Sequence, residues 1–153
     1  MYAIERTPLS SPAAQALIAA LNAELGAAYP EPGATHWTLS AEETDGARGA
    51  FLVATRDGTA IGCGAVRLID ADTAELKRMY VAPAARGTGI GKRLVAALEA
   101  EAARIGAKRV VLETGVRQEA ALGLYARCGY ARIPLYGEYV HSPATSVCLG
   151  RTL

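Results

Sequence analysis

The stretch RMYVAPAARGTGIGKRL, Arg78 to Leu94, sets the fold of the whole chain. A run with strand character ends at Pro83, glycines follow at 87, 89 and 91, and a segment with helical spacing begins. Proline closes a strand because it cannot donate to a ladder. Glycine allows conformations and close approaches that a Cβ forbids. Two nucleotide motifs fail here. A P-loop, G-x-x-x-x-G-K-[ST], needs a glycine where Arg86 stands and a hydroxyl where Arg93 stands. The dinucleotide fingerprint G-x-G-x-x-G fits Gly87 and Gly89 but puts its third glycine on Lys92. What remains is R-x-x-G-x-G, Arg86, Gly89 and Gly91, opening directly into a helix. The first amides of a helix have no internal acceptor, and the macrodipole makes that end partly positive. They hold anions such as pyrophosphate. An ordinary glycine-rich turn shows the same pattern, and the motif by itself leaves both readings open.

Working outward, Thr73 to Val81 predicts the strand that feeds this loop. Phe51–Arg56 and Thr59–Ile69 precede it, separated by Asp57-Gly58, a strong two-residue hairpin signal. Asp70-Ala-Asp72 makes the next turn, so an antiparallel meander is expected. Downstream, Ile90, Leu94, Leu98 and Ile105 form one apolar stripe that Gly106 ends. Arg109–Glu113 has strand composition, Gln118–Arg127 helical spacing, and Tyr130–Ile133 with Ser146–Leu153 a last pair of strands. At the start, Tyr2–Thr7 predicts a strand. Ser10 or Ser11 caps a helix with Pro12 in its first turn and Gly26 as its stop. From Tyr29 to Gly49 the chain is poorly patterned, except that Ser40-Ala-Glu-Glu43 has the form of a capping box. Strands and helices in this order argue for one mixed α/β sheet.

The totals agree. A chain of 153 residues, 51% of them apolar, is the size of one domain with a real core. A net charge of +1 gives no reason to expect nucleic acid or an anionic membrane as partner. No run of roughly 18 apolar residues suggests a membrane span. The start MYAIERTPLSS lacks a secretory pattern. Cys63, Cys128 and Cys148 are widely spaced and odd in number, which predicts reduced thiols in a cytoplasmic protein.

Three segments, ELKRMYVAPAARGTGIGKRLVAALEAEA, VVLETG and ALGLYARCGY, occur in this order at close spacing. Together they resemble the GNAT superfamily of N-acetyltransferases, over about Phe51 to Ile133. The resemblance implies an α/β fold for a single domain over residues 1–153. Its sheet is mixed, mostly antiparallel and of six to seven strands, with helices on both faces and splayed central strands. It implies acetyl-CoA as cosubstrate and no metal. By similarity the pyrophosphate rests on the amides of Arg86, Gly87, Thr88, Gly89, Ile90, Gly91 and Lys92. The pantetheine arm pairs like a strand with Met79, Tyr80 and Val81, where Thr73–Val81 and Arg109–Glu113 part. A bulge there would aim one N–H at the thioester carbonyl.

The same resemblance implies Tyr125 as general acid toward the departing thiolate and Glu75 as base. Glu113 is the reserve base, and a water chain without a single base is a third route. On the residues alone, Tyr125 equally suits a core ring and Glu75 a strand glutamate paired with a neighbouring cation. Trp37 and Tyr29 before the meander, and Tyr136, Glu138 and Tyr139 in the last loop, are candidates for the acceptor site. They equally suit loop packing. Gln118 is expected to cap its helix rather than touch CoA, and Cys128 to be structural, with His36 and His141 on the surface. The implied activity is acetyl transfer to a primary amine, favouring a small amine or amino-acid-like metabolite, by direct attack in a ternary complex. The alternatives are a catalytically silent acetyl-CoA sensor, an enzyme acting on protein amines and one using a longer acyl group. Homodimers are frequent in such folds, but no interface signature is present.

Overall fold

A computed structural model describes residues 1–30 and 40–153. His36 and Trp37 lie outside the described residues. Asp57-Gly58 turns as its sequence predicts, both residues taking positive φ, 49° and 83°. The turn joins β2 (Gly49–Arg56) to β3 (Thr59–Leu68), and β4 (Thr73–Val81) returns antiparallel along β3. β1 (Tyr2–Arg6) adds antiparallel to the outer edge of β2. β5 (Arg109–Gly115) lies parallel to β4. The sheet is completed by β6 (Ala131–Ile133) and β7 (Ser146–Thr152), in the order β1-β2-β3-β4-β5-β7-β6. Every neighbouring pair except β4 and β5 is antiparallel.

Helices cover both faces. In α1 (Pro12–Ala28) the Ser11 Oγ accepts from the Ala14 amide at 3.2 Å, capping the first turn. Its buried Leu17 and Leu21 pack on Phe51, Val53, Cys63, Ala65 and Tyr80. In the short α2 (Ala41–Asp45) the Ser40 amide donates back to Glu43 Oε2 at 3.3 Å. On the opposite face, α3 (Ile90–Arg104) and α4 (Glu119–Arg127) bury Val95, Leu98 and Tyr125 against Ala50, Leu52, Val66, Leu76 and Leu112. Phe51 and Leu52, consecutive in β2, therefore enter different cores, as a period of two requires. A sheet buried on both sides has strands that run continuously apolar. This is the mixed, mostly antiparallel sheet the sequence predicts, at seven strands.

Two local expectations are corrected. Gly26 does not stop α1, which continues to Ala28 and closes with Tyr29 N on the Leu25 carbonyl at 2.8 Å. The cause is tertiary: the Tyr29 ring is buried, and its hydroxyl accepts from the Arg117 amide at 2.7 Å. Anchoring at that end carries the helix past its glycine. Gln118 stands at the N-cap of α4 but makes no side-chain cap hydrogen bond.

Where α2 meets the sheet, Gly49 leaves no room. A Cβ there would lie 1.9 Å from the Glu43 carbonyl oxygen and 2.6 Å from that of Val66. Both obstacles are backbone and cannot swing aside. Gly49→Ala is expected to destabilise the fold by about 2–4 kcal/mol. Urea unfolding of the two proteins checks it through a lower midpoint at unchanged slope.

Candidate active site

β4 and β5 pair only from Thr73↔Arg109 to Leu76↔Leu112. Beyond that point β4 stays with β3 to Val81 and β5 stays with β7 to Gly115, so a gap opens in the middle of the sheet. The β3–β4 register shifts at the same level. Ala65 faces Lys77 and Cys63 faces Tyr80, leaving Arg78 and Met79 together opposite Gly64. This is a β-bulge. Arg78 carries it at φ +55°, in the left-handed region that non-glycine residues seldom occupy. The Cys63 thiol donates to the Arg78 carbonyl at 3.3 Å, and the Arg78 guanidinium donates to Asn22 Oδ1 of α1. Further on, the Ala82 amide donates to Ile61 on β3 at 2.8 Å. Strand alternation gives the Tyr80 amide that same side and turns those of Met79 and Val81 toward the gap.

The strand leads into a 3₁₀ turn, Pro83–Ala85, and then into the glycine loop. Gly87 and Gly89 take φ values of +80° and +85°, and Gly89 is the N-cap of α3. The Arg86 amide donates to Pro83 and the Arg93 amide to Gly89, at 3.3 and 3.2 Å. Between them, among the described residues, the amides from Gly87 to Lys92 donate to no protein acceptor. A Cβ on Gly87 or Gly89 would meet nothing within 4 Å, so the loop is open rather than folded onto the core. Gly91 serves another purpose. A Cβ there would approach Leu124 of α4 at 3.1 Å and Val81 at 3.7 Å. Arg86 braces the loop: its Nη2 donates to both Glu24 carboxylate oxygens at 2.9 Å and its Nε to the Val81 carbonyl at 2.9 Å.

Tyr125 of α4 is 5% exposed, its ring edge-on to Tyr130 with centroids 5.8 Å apart. Among the described residues no fully buried side-chain oxygen or nitrogen lacks a partner. The Tyr125 hydroxyl makes no hydrogen bond to the described residues, so it must surface while its ring stays in the core. Burial, then the Cys128 thiol and the Glu113 charge, push its pKa well above the usual phenol value. The group is a protonated donor throughout the ordinary pH range. Glu113 is the first β5 residue past the paired segment. It is half-buried and accepts from Ser146 Oγ at 2.7 Å. Its charge also acts on Arg78 and Tyr139.

Glu75 sits further back, where β4 and β5 still pair, opposite Val111. It is 1% exposed and fully engaged. Its Oε1 accepts from Arg67 Nε and Nη2 at 3.1 and 3.0 Å, and its Oε2 from the Tyr136 and Tyr139 hydroxyls at 2.6 and 3.2 Å. Arg67 also holds Glu43 Oε1 at 2.7 Å. A strand carboxylate thus fastens the last loop and α2 to the sheet. Lys77, buried on the same strand, has its pKa lowered by burial, with Glu75 opposing. Glu138 is exposed, and its charge reaches Lys77 and Tyr139. So Glu75 and Tyr136 meet, while Glu113 stands where the gap opens and acts on Tyr125 through its charge. Sequence reasoning missed Arg67, Glu43, Asn22 and Cys63. Arg67 was findable, because it faces Glu75 across the hairpin that Asp70 closes. Among the described residues no group of His, Cys, Asp and Glu could hold a metal ion.

The model of the Acetyltransferase (GNAT) family matches residues 14–130. The IAA acetyltransferase of Azospirillum brasilense is 44% identical over 94 residues, 61% of this chain and 61% of that protein. A solved structure from Klebsiella pneumoniae subsp. pneumoniae MGH 78578, assigned as an acyl-CoA N-acyltransferase, is 33% identical with a TM-score of 0.84. That match covers 100% of this chain and 98% of the other. A GNAT family acetyltransferase from Elizabethkingia anophelis, solved with acetyl-CoA bound, shares the fold at 19% identity and a TM-score of 0.71. The match covers 99% of this chain and 98% of that one. The chain spans about three fifths of the length of the first curated relatives it matches, 61% and 59%.

Proposed function

The chain belongs to the GNAT acetyltransferase family, and we propose that it moves an acetyl group from acetyl-CoA to a primary amine, by direct attack in a ternary complex. A small amine or amino-acid-like metabolite is the favoured acceptor. One observation carries the reading: β4 loses its neighbour, bulges, and then runs within ten residues into a row of amides without acceptors among the described residues. A released strand edge suits the amides of an extended arm. A helix start with open amides suits a diphosphate, with Lys92 adding charge. Acetyl-CoA supplies the activated acetyl thioester.

The chain's own groups then divide the work. The Met79 amide, facing the gap, suits an oxyanion forming there. The Tyr125 hydroxyl delivers a proton to the departing sulfur. For the base, the geometry favours Glu113 over Glu75. Glu113 lies where β4 and β5 part, and its charge acts on Tyr125 and Arg78, whereas the Glu75 carboxylate is occupied by Arg67 and two tyrosines. Glu113→Gln is therefore expected to lower kcat about tenfold, the modest end of general-base effects, because water shares the role. Glu75→Gln is expected to act mainly on acceptor KM and stability, through the loosened last loop. Steady-state kinetics on both variants separate the roles, and a kcat loss confined to Glu75→Gln would reverse them.

The activity is tested by thiol release from acetyl-CoA against a panel of amines, with CoA titrated in a calorimeter. IAA is tested separately from the amines because of the Azospirillum relative's name. Binding heat with CoA and turnover with at least one amine are expected. No heat with CoA overturns the reading. Heat without turnover turns the protein into a binding module.

A further inference from the structure

The Arg78–Met79 peptide lies at the bulge, and a buried side chain donates a hydrogen bond to it. Cys63 of β3, 0% exposed, points its thiol at the Arg78 carbonyl oxygen, 3.3 Å away. The bond has a consequence for the next amide. In a trans peptide the C=O and the N–H of one plane point in opposite directions, and no cis peptide is present among the described residues. A thiol that holds the Arg78 carbonyl on the β3 side therefore holds the Met79 N–H on the other side, facing the gap. Arg78 needs the help. Its φ of +55° is intrinsically unfavourable for a residue with a Cβ, and without a partner the plane would relax toward ordinary extended pairing. Asn22 holds the far end of the same residue through the guanidinium.

We propose that Cys63 is a positioning residue for acetyl transfer: its thiol hydrogen bond fixes the Arg78–Met79 peptide so that the Met79 amide is presented to the reacting carbonyl. Burial raises the thiol's pKa to about 12, so the donor proton is in place at every working pH. The role asks for a small buried donor rather than a nucleophile. The purpose given to the Met79 amide rests on the acetyl-transfer reading above, whereas the peptide orientation stands independently of it.

The test compares Cys63→Ala with Cys63→Ser. Alanine removes the donor, and serine keeps one in the same direction. For Cys63→Ala, kcat is expected to fall about three- to tenfold, the loss of one weak to ordinary hydrogen bond, with CoA affinity by calorimetry unchanged. Cys63→Ser is expected to stay within about twofold of the wild type. A merely structural cysteine would lower the melting temperature in both variants without separating their kcat values. Equal kcat in the two variants, whether high or low, overturns the proposal. If the wild type turns over no amine, the acetyl-transfer reading fails separately, and the orientation is decided by the Arg78 Cα chemical shift. It should keep its left-handed value in Cys63→Ser and move toward the extended range in Cys63→Ala. An unmoved shift in Cys63→Ala overturns the clamp.

Discussion

Tyr125→Phe should lower kcat by about two orders of magnitude, the ordinary worth of a positioned general acid, and leave CoA affinity where it was. The substitution is unusually clean. Phenylalanine fills the same space in the core formed by α4 and β5, where the ring is 5% exposed. The hydroxyl makes no hydrogen bond to the described residues, so its removal leaves none of their donors or acceptors stranded. Stability should change by less than about 0.5 kcal/mol. What disappears is one hydroxyl proton. The pH profile adds a check. Burial holds the phenol protonated well past its usual pKa, so wild-type kcat should show no alkaline limb near the ordinary tyrosine value, about 10. A limb there would mean that the hydroxyl titrates freely and that the surroundings described for it are wrong. Undiminished kcat in Tyr125→Phe would return the residue to the core and leave the thiolate to depart unassisted. Either outcome requires turnover by the wild type, which also separates an enzyme from a silent CoA-binding module.

The parts of this site that a sequence could show are those set by local chemistry. The strand Thr73–Val81 appears at its predicted bounds, because Asp70 and Pro83 punctuate it on either side. The glycine loop is equally local: Gly87 and Gly89 stand where φ is positive, and the helix begins immediately after. The two reasons for glycine differ, however. Gly91 is small because α4 lies against it, which only the packed structure reveals. The bulge was expected from family likeness, but its bearer was not legible. A left-handed Arg78 leaves no glycine or asparagine as a marker. It is held by Asn22 and Cys63, which are remote in sequence and meet Arg78 only after folding. Glu75 shows the same limit from the other side. The family resemblance implied it as a base. Its surroundings depend on Tyr136 and Tyr139, more than sixty residues away, which close on its second oxygen. Gly26 failed as a helix stop for a related reason, since the anchoring of Tyr29 outweighed a local preference of about 1 kcal/mol.

The buried tyrosines also limit the pH at which the fold persists. Burial raises the pKa of Tyr125, Tyr130 and Tyr139, with neighbouring carboxylates adding to the effect, and raises the Cys63 thiol to about 12. In the unfolded chain these groups lose their protons near about 10 for a phenol and about 8.5 for a thiol. Above those values the unfolded chain binds fewer protons than the native one, so stability falls as pH rises. It is fully present below them. Each such group contributes a slope of about 1.4 kcal/mol per pH unit. Four acting together reach about 5 kcal/mol per unit near pH 11. A domain of this size holds about 5–15 kcal/mol, so cooperative unfolding is expected within about one to three units above pH 10. Far-UV circular dichroism and tyrosinate absorbance should change together at one midpoint, with several protons released per molecule. Tyrosines that ionise near 10 while the dichroism stays native would contradict the burial described for them. Tyr125→Phe, which removes one of these groups and no hydrogen bond to the described residues, should move the midpoint upward. The substitution that disables the proposed chemistry should thus make the fold more tolerant of base, and both effects would trace to one hydroxyl.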